Sequence, residues 1–350
     1  MPHANADHLR EFAGRILRAA GLAAGDAQAT ADCLILANLR GVDSHGVLRL
    51  MQHVKTLGAG NVNPRPDVHV LRRRGATAIV DADGGYGFRP SLLAVEVAIE
   101  LAGGLGVGVV GVRNSHHFGM AAIYTLRAAE AGFIGLVTTT GGPILAPPGG
   151  VRTVVGNNPI TCAVPRRPPQ PPICLDMALS QVAFGKVRLA AAEGRPIPPG
   201  WAYDAQGRPT TDAAEALRAQ MLAPVGDYKG YGLAVIAELL AGVLTDSPFA
   251  QDADGHGLRE GGCGHFVLAL DLTHFLDRSR FYDGVERLVA QIKAVPLAEG
   301  SPGVYLPGEP EWNTMQVRQR EGIPISEELA EQLAALAGQL GVSGPRWQQP

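Results

Sequence analysis

Gly106-Val107-Gly108-Val109-Val110-Gly111 is the stretch on which the reading of the fold turns. It matches the spacing GxGxxG. In a dinucleotide-binding βαβ unit such glycines follow a strand and open a helix, so that the pyrophosphate meets the helix N-terminus. Here the order is reversed. Leu92–Leu101 shows helical periodicity before the glycines, and the apolar run continues through them as a strand, Val107–Arg113. Glycines within a strand permit close backbone packing. A Rossmann unit is therefore set aside, and any nicotinamide must bind through a different fold.

Alternating units extend outward from this strand. Ala76–Asp83 reads as a strand, Gly119–Ala131 as a helix, and Phe133–Thr140 as a strand leading into the loop Gly141–Gly150 (GGPILAPPGG). Ile160–Val164 and Ile173–Met177 read as short buried strands. Pro165–Pro172 (PRRPPQPP) between them is a surface connection or a polyproline ligand. Helices are expected near Gln181–Glu193, Gly230–Leu244, Gly284–Ala294 and Ser326–Gly338, with a strand at His265–Asp271. Gln251–Gly264 reads as a long mobile loop. At the N-terminus Leu9, Phe12, Ile16 and Ala20 share a helical face that stops at Gly21, and Asp26 is placed to cap a second helix towards Leu39. The whole is an α/β fold with a mixed sheet and helical N- and C-terminal parts.

The chain of 350 residues is 46% hydrophobic and 18% charged, enough for one large or two ordinary domains with ample core. A net charge of −3 gives no electrostatic case for nucleic acid or an anionic membrane. No apolar run is read as long enough to span a bilayer, and Met1–Asp7 lacks an apolar signal core. Cys33, Cys162, Cys174 and Cys263 lie far apart without CxxC spacing. That argues against a zinc site or a disulfide framework and fits a reducing, cytoplasmic setting.

Two histidine segments carry the chemistry. They are Arg40-Gly41-Val42-Asp43-Ser44-His45-Gly46, with Arg49 beyond, and Asn114-Ser115-His116-His117-Phe118-Gly119. Imidazole exchanges protons near neutral pH, and a guanidinium holds a carboxylate at two points. Gly41 and Gly46 allow a sharp turn presenting His45. One of His116 and His117 is expected to face a cleft while the other packs. A metal would need a third ligand; His256, His265 and His274 are available but none has ligand spacing with a carboxylate, so no metal is assigned. In Gly226-Asp227-Tyr228-Lys229-Gly230-Tyr231-Gly232 the lysine sits at a helix start, suited to a phosphate or carboxylate, or simply to a helix start.

The segments resemble the malate/L-lactate dehydrogenase family of the second type, which includes ureidoglycolate, sulfolactate and diketogulonate oxidoreductases and cyclic imino-acid reductases. The resemblance rests on RGVDSHGVLRL (40–50), GVRNSHHFGMA (111–121), APPGG (146–150), GNNPITCAVP (156–165), LDMALSQVAFGKV (175–187), IPPGWAYDAQGRPTTD (197–212), KGYGL (229–233), GHFVLALD (264–271) and LPGE (306–309). Each is weak alone, but their order is highly specific. Departures are Thr139-Thr140-Gly141-Gly142 at a strand end that is often Asn/Ser-rich, Asn157 in GNN, and Leu179 after DMA.

The resemblance implies a non-Rossmann malate/L-lactate dehydrogenase-like fold in a cytoplasmic homodimer. It implies a helical, substrate and dimerisation domain at 1–118 plus 290–350 and a cofactor domain at 119–289. It implies NAD or NADP as cofactor, with Asp176, Met177, Ala178, Lys229, Gly230, Pro307, Gly308 and Glu309 contacting it. His117 is the expected acid/base, with His45 as second donor and Ser44 orienting. Arg49 is the expected clamp on a small carboxylate substrate, with Thr140 and Gly141 beside it. The implied reaction is hydride transfer to or from a 2-hydroxy/2-oxo acid. A cyclic imino-acid reductase and an inactive nucleotide-binding relative are the alternatives. Arg188 and Lys186 are candidates for a cofactor phosphate, or equally surface charges.

Overall fold

The glycines of the opening stretch let neighbouring elements approach the sheet closely. The computed structural model describes residues 2–253 and 262–347, so much of the loop expected at Gln251–Gly264, including His256, lies outside the described residues. The elements begin with β1 (His3–Ala4), α1 (Ala6–Ala19), α2 (Ala24–Leu39), α3 (Leu50–Gly58), β2 (His69–Arg74), β3 (Thr77–Asp81), α4 (Phe88–Leu105) and β4 (Val107–Ser115). There follow α5 (Ala122–Glu130), β5 (Ile134–Thr139), β6 (Ile160–Val164), β7 (Ile173–Met177), α6 (Phe184–Ala192), β8 (Ala202–Tyr203), β9 (Pro209–Thr210) and α7 (Ala213–Ala219). The last are α8 (Tyr228–Ala237), β10 (Cys263–Leu270), α9 (Arg278–Lys293), α10 (Glu309–Glu321), β11 (Ile323–Pro324) and α11 (Glu327–Gln339).

The main sheet has seven strands in the order β2-β3-β4-β10-β5-β6-β7. Only β3 and β4 pair in parallel, across the α4 crossover; the other neighbours are antiparallel. Helix α4 lies on β3, β4 and β10, and α5 on β5, β6 and β7. The sheet runs through both sides of position 118. A second, smaller apolar cluster gathers Leu145, Val155, Leu179, Val187, Leu222 and Ala234.

The glycines act as the strand reading requires. Gly106, at φ +83°, ends α4 in the left-handed conformation. A Cβ on Gly108 would run into the Ala98 carbonyl of α4. A Cβ on Gly111, on the opposite face, would lie 2.8 Å from Ile79 Cδ1 and 2.9 Å from Thr245 Cγ2. At the N-terminus the Asn5 side chain caps α1, accepting from the N–H groups of Asp7 and His8. Asp26 does not cap α2 as expected. It sits inside the first turn, buried, and pairs with Arg89 Nη1 at 3.2 Å.

Another expectation needs correcting. The continuous helical stretch Tyr228–Thr245 reaches the length and mean hydropathy, 1.2, of a bilayer span. After α8 it passes through a π-helical turn, Glu238–Gly242, that packs on β10 and β5. Buried Glu238 there accepts from Gly156 N, Asn158 Nδ2 and Ala250 N at 2.8–3.1 Å. The inner side of the stretch thus belongs to the fold of the sheet, while Leu233, Ile236, Leu239, Val243 and Leu244 are exposed.

Gly108→Ala is expected to destabilise the protein by about 1–3 kcal/mol in chemical denaturation, because overpacking against a backbone carbonyl has no flexible neighbour to absorb it. Gly104→Ala, in α4 with open space around it, is expected to be neutral or mildly stabilising.

Candidate active site

The first histidine segment is pinned by a side chain of α2. Asn38, buried, accepts from Val47 N at 2.9 Å through Oδ1 and donates to Asp43 Oδ1 at 2.6 Å through Nδ2. Arg318 of α10 clasps Asp43 through both Nη atoms at 2.7 and 2.9 Å. Any side chain on Gly46 would overlap Asn38, and Gly41 turns at φ +78°. Two glycines therefore make the turn the sequence called for, one by conformation and the other by space.

That turn carries His45 to the end of β4. The rings of His45 and His117 stack with centroids 5.7 Å apart and planes at 15°. Ser44 Oγ lies 3.0 Å from His45 Nδ1, and Arg49 Nε donates to the Ser44 carbonyl at 2.8 Å. His117 faces this cluster, whereas His116 is buried. A third imidazole, His53 of α3, lies 6.0 Å from His117 and edge-on to Tyr86 and Phe88. Tyr86 donates its hydroxyl to the His53 carbonyl at 2.7 Å, and His53 Nε2 has no partner among the described residues. His265 is held between Ser115 Oγ at 2.8 Å and Thr139 Oγ1 at 2.7 Å, with Phe118 stacked on it at 4.6 Å. Among the described residues no group of three potential ligands could hold a metal.

Burial keeps these imidazoles neutral. It holds His45 down to about 4 and His53 to about 3, with the charge of Arg49 adding to both. His117 is held well below its ordinary range by burial first, then by His45, His53 and Arg49. Arg49 is itself lowered by burial and by the nearby charge of Arg188.

Part of the expected cofactor set converges elsewhere. Asp176, Pro307 and Gly308 line a cavity of about 470 Å³ with Arg40, Met120 and Glu311. Asp176 Oδ2 accepts from Ala122 N, at the start of α5, at 2.9 Å. Gly308, at φ +81°, sits so close to Cys174 that a Cβ would lie 2.8 Å from its carbonyl oxygen. Glu309 turns away, salt-bridged to Lys293 and accepting from Leu306 N at 2.8 Å. Met177 packs on the smaller apolar cluster, and Ala178 lines neither this cavity nor a second one beside Gly149 and Asp227. Lys229 and Gly230 open α8, whose N-terminus has no side-chain cap. Thr140 and Gly141 are engaged in holding the loop: Thr140 Oγ1 accepts from Gly264 N at 3.1 Å, and Gly141 N donates to Asn158 at 3.0 Å.

Asn38, His53, Arg318 and Arg40 are contributors that motif reading left out or did not assign. Arg40 flanks His45 in sequence; the others belong to no motif, and only their partners reveal them.

Two outcomes follow. Asn38→Ala is expected to lower kcat with little change in cofactor affinity, read by steady-state kinetics and a binding titration. The histidines give a sign for stability against pH. His45, His53 and His265 ordinarily titrate near 6.5 but at about 4, 3 and 3 when folded. The unfolded chain therefore binds more protons below 6.5, and stability is expected to fall as pH drops from about 6.5 towards 4. Asp176, raised by burial, opposes this in part. Denaturation midpoints across that range test the sign, and His45→Gln should flatten the upper part of the fall.

A family model described as malate/L-lactate dehydrogenase matches residues 4–334. The malate dehydrogenase of Pyrococcus horikoshii is 34% identical over 345 residues, 97% of this chain and 95% of its own. The solved structure of malate dehydrogenase from Pyrococcus horikoshii superposes with a TM-score of 0.89 at 32% identity, covering 98% of this chain and 96% of that one. The (2R)-3-sulfolactate dehydrogenase (NADP(+)) of Chromohalobacter salexigens is 37% identical over 324 residues, 92% of this chain and 94% of its own. A Delta(1)-pyrroline-2-carboxylate/Delta(1)-piperideine-2-carboxylate reductase of Pseudomonas aeruginosa is 35% identical over 339 residues, covering 94% and 98%. With the family model spanning nearly the whole chain, this protein belongs to the malate/L-lactate dehydrogenase family.

Proposed function

We propose that this chain moves a hydride between nicotinamide and the α-carbon of a small 2-hydroxy or 2-oxo acid, with His117 as the acid/base. The stacked pair His45 and His117, with Arg49 held beside it through Ser44, carries the reading. The protein is an oxidoreductase acting on CH–OH groups and uses a nicotinamide cofactor, as the relatives' dehydrogenase and NADP(+) activities support. The cavity at Asp176 and Gly308 fits such a group: it is of ligand size, and the missing Cβ of Gly308 lets that turn pack directly against Cys174 to form its wall. Asp176, Pro307 and Gly308 would hold the cofactor on that side, with Glu309 setting the turn. Lys229 and Gly230 would hold it at the uncapped start of α8. When bound, nicotinamide supplies or accepts the hydride.

The chain's own residues do the rest. Arg49 clamps the substrate carboxylate. The incoming charge offsets that of Arg49, one of the causes that hold His45 and His117 neutral, so their proton affinity rises as substrate arrives. His117 then gives its proton to the carbonyl oxygen in reduction, or takes the hydroxyl proton in oxidation. Ser44 orients His45, which polarises the same oxygen. Thr140 and Gly141 act as a wall rather than as polar anchors. The exposed apolar face at Leu233, Ile236, Leu239, Val243 and Leu244 supports a homodimer.

Reduction of a cyclic imine is the second reading, favoured by the similarity to the Pseudomonas aeruginosa reductase. A panel of pyruvate, oxaloacetate, sulfopyruvate and piperideine-2-carboxylate, each with NADH and NADPH, separates the two. His117→Ala is expected to lower kcat by roughly 10²–10⁴-fold without loss of cofactor binding; near-normal turnover would remove His117 from the role. Arg49→Ala is expected to raise KM for the acid roughly 10- to 100-fold, as loss of a charge-assisted hydrogen bond implies.

A further inference from the structure

His265 of β10 is a buried imidazole that the proton chemistry leaves unused, and it meets the chain on both sides of His117. Two residues before His117, Ser115 Oγ lies 2.8 Å from the His265 Nε2. One residue after it, the Phe118 ring stacks on His265 at 4.6 Å with planes at 10°. On its other edge Nδ1 lies 2.7 Å from Thr139 Oγ1 of β5. The ring therefore bridges the end of β4, where His117 stands, to the end of β5, from the strand that lies between them.

The surroundings are shaped for this ring. It is wholly buried, and a Cβ on Gly87 would lie 2.7 Å from its Nε2 and 2.4 Å from the His116 carbonyl oxygen. The pairing of β10 with β4 shifts register between Cys263 and His265, an irregularity of the kind that re-aims a side chain. Burial holds the imidazole down to about 3, so near neutral pH it offers one donor and one acceptor on opposite edges.

The partners fix the direction of the bonds. Thr139 Oγ1 donates to the Gly264 carbonyl at 3.0 Å, which leaves its oxygen to accept from Nδ1. Ser115 Oγ donates to Nε2, because its other acceptor, the His116 carbonyl, is 3.4 Å away. All three buried side chains are satisfied in one chain, from Ser115 through His265 and Thr139 to Gly264.

We propose that His265 is a positioning residue that fixes Ser115–Phe118, and with it His117, in place for proton transfer. The inference rests on the reading of His117 as the acid/base. The stake is large, since misplacing a reacting group by about 1 Å costs roughly 10²-fold in rate.

The test compares the wild type with His265→Phe, which keeps a ring against Phe118 but bonds neither hydroxyl, and His265→Gln, which offers one acceptor and one donor. Each is measured for kcat, for KM of the 2-oxo acid that the wild type reduces fastest, for NADH and NADPH affinity and for melting temperature. His265→Phe is expected to lower kcat roughly 10- to 100-fold, with KM and cofactor affinity near wild type, and His265→Gln to recover most of that loss. Ser115→Ala should also lower kcat, and adding it to His265→Phe should lower kcat little further, since both break one chain. Wild-type kcat in a folded His265→Phe with only the melting temperature lowered, or a rise in KM alone, would overturn the positioning role and leave the His117 reading intact. Should His265→Phe not fold, Ser115→Ala decides by the same criteria. Near-normal turnover in His117→Ala would overturn that reading and the positioning role with it.

Discussion

The close approach of α4 to β4 is the constraint on which the rest of the molecule depends. Gly108 lets the strand lie against the Ala98 carbonyl, and Gly106 turns the chain from helix to strand at one end of the contact. At the other end Phe88, the first residue of α4, packs edge-on to His117 and against Gly119. Gly87 N donates to the His117 carbonyl at 3.1 Å. The height of the helix above the sheet therefore sets where His117 stands. One extra methyl at Gly108 would be felt at the far end of a rigid, close-packed pair.

His117 is then completed by a loop from another part of the chain. The turn bearing His45 is held by Asn38 from below and Arg318 from the side, so its position depends on α2 and α10 together. The result is a cluster of neutral imidazoles beside the partly buried guanidinium of Arg49. Such a cluster has little affinity for a proton, first because of burial and then because of the charge of Arg49. The low dielectric that keeps the imidazoles neutral also strengthens the effect of that charge.

Much of the sheet was legible in the sequence because most of its strands are built on apolar runs. β4, β5, β6, β7 and β10 fall where apolar runs and glycines placed them. α10 was missed because it has no buried residue and no apolar stripe. β2, an edge strand bearing Arg72, Arg73 and Arg74, was missed for the same kind of reason. Asp26 was misread as a cap because its partner, Arg89, is 63 positions away. In the site, Ser44, His45, Arg49 and His117 were legible from residue type and flanking glycines. Asn38, His53 and the bridge through His265 were not, since each is defined by what lies across the fold.

By itself the sequence determined which residues are able to exchange protons or hold a carboxylate, and that the glycine run is a strand rather than a phosphate loop. Local chemistry and periodicity suffice for that. Only the tertiary structure decided that His45 stacks on His117, that Glu309 turns to Lys293 while Gly308 lines the cavity, and that His265 bridges Ser115 and Thr139. Those outcomes depend on burial and on partners brought together by packing, and no window of contiguous sequence contains either.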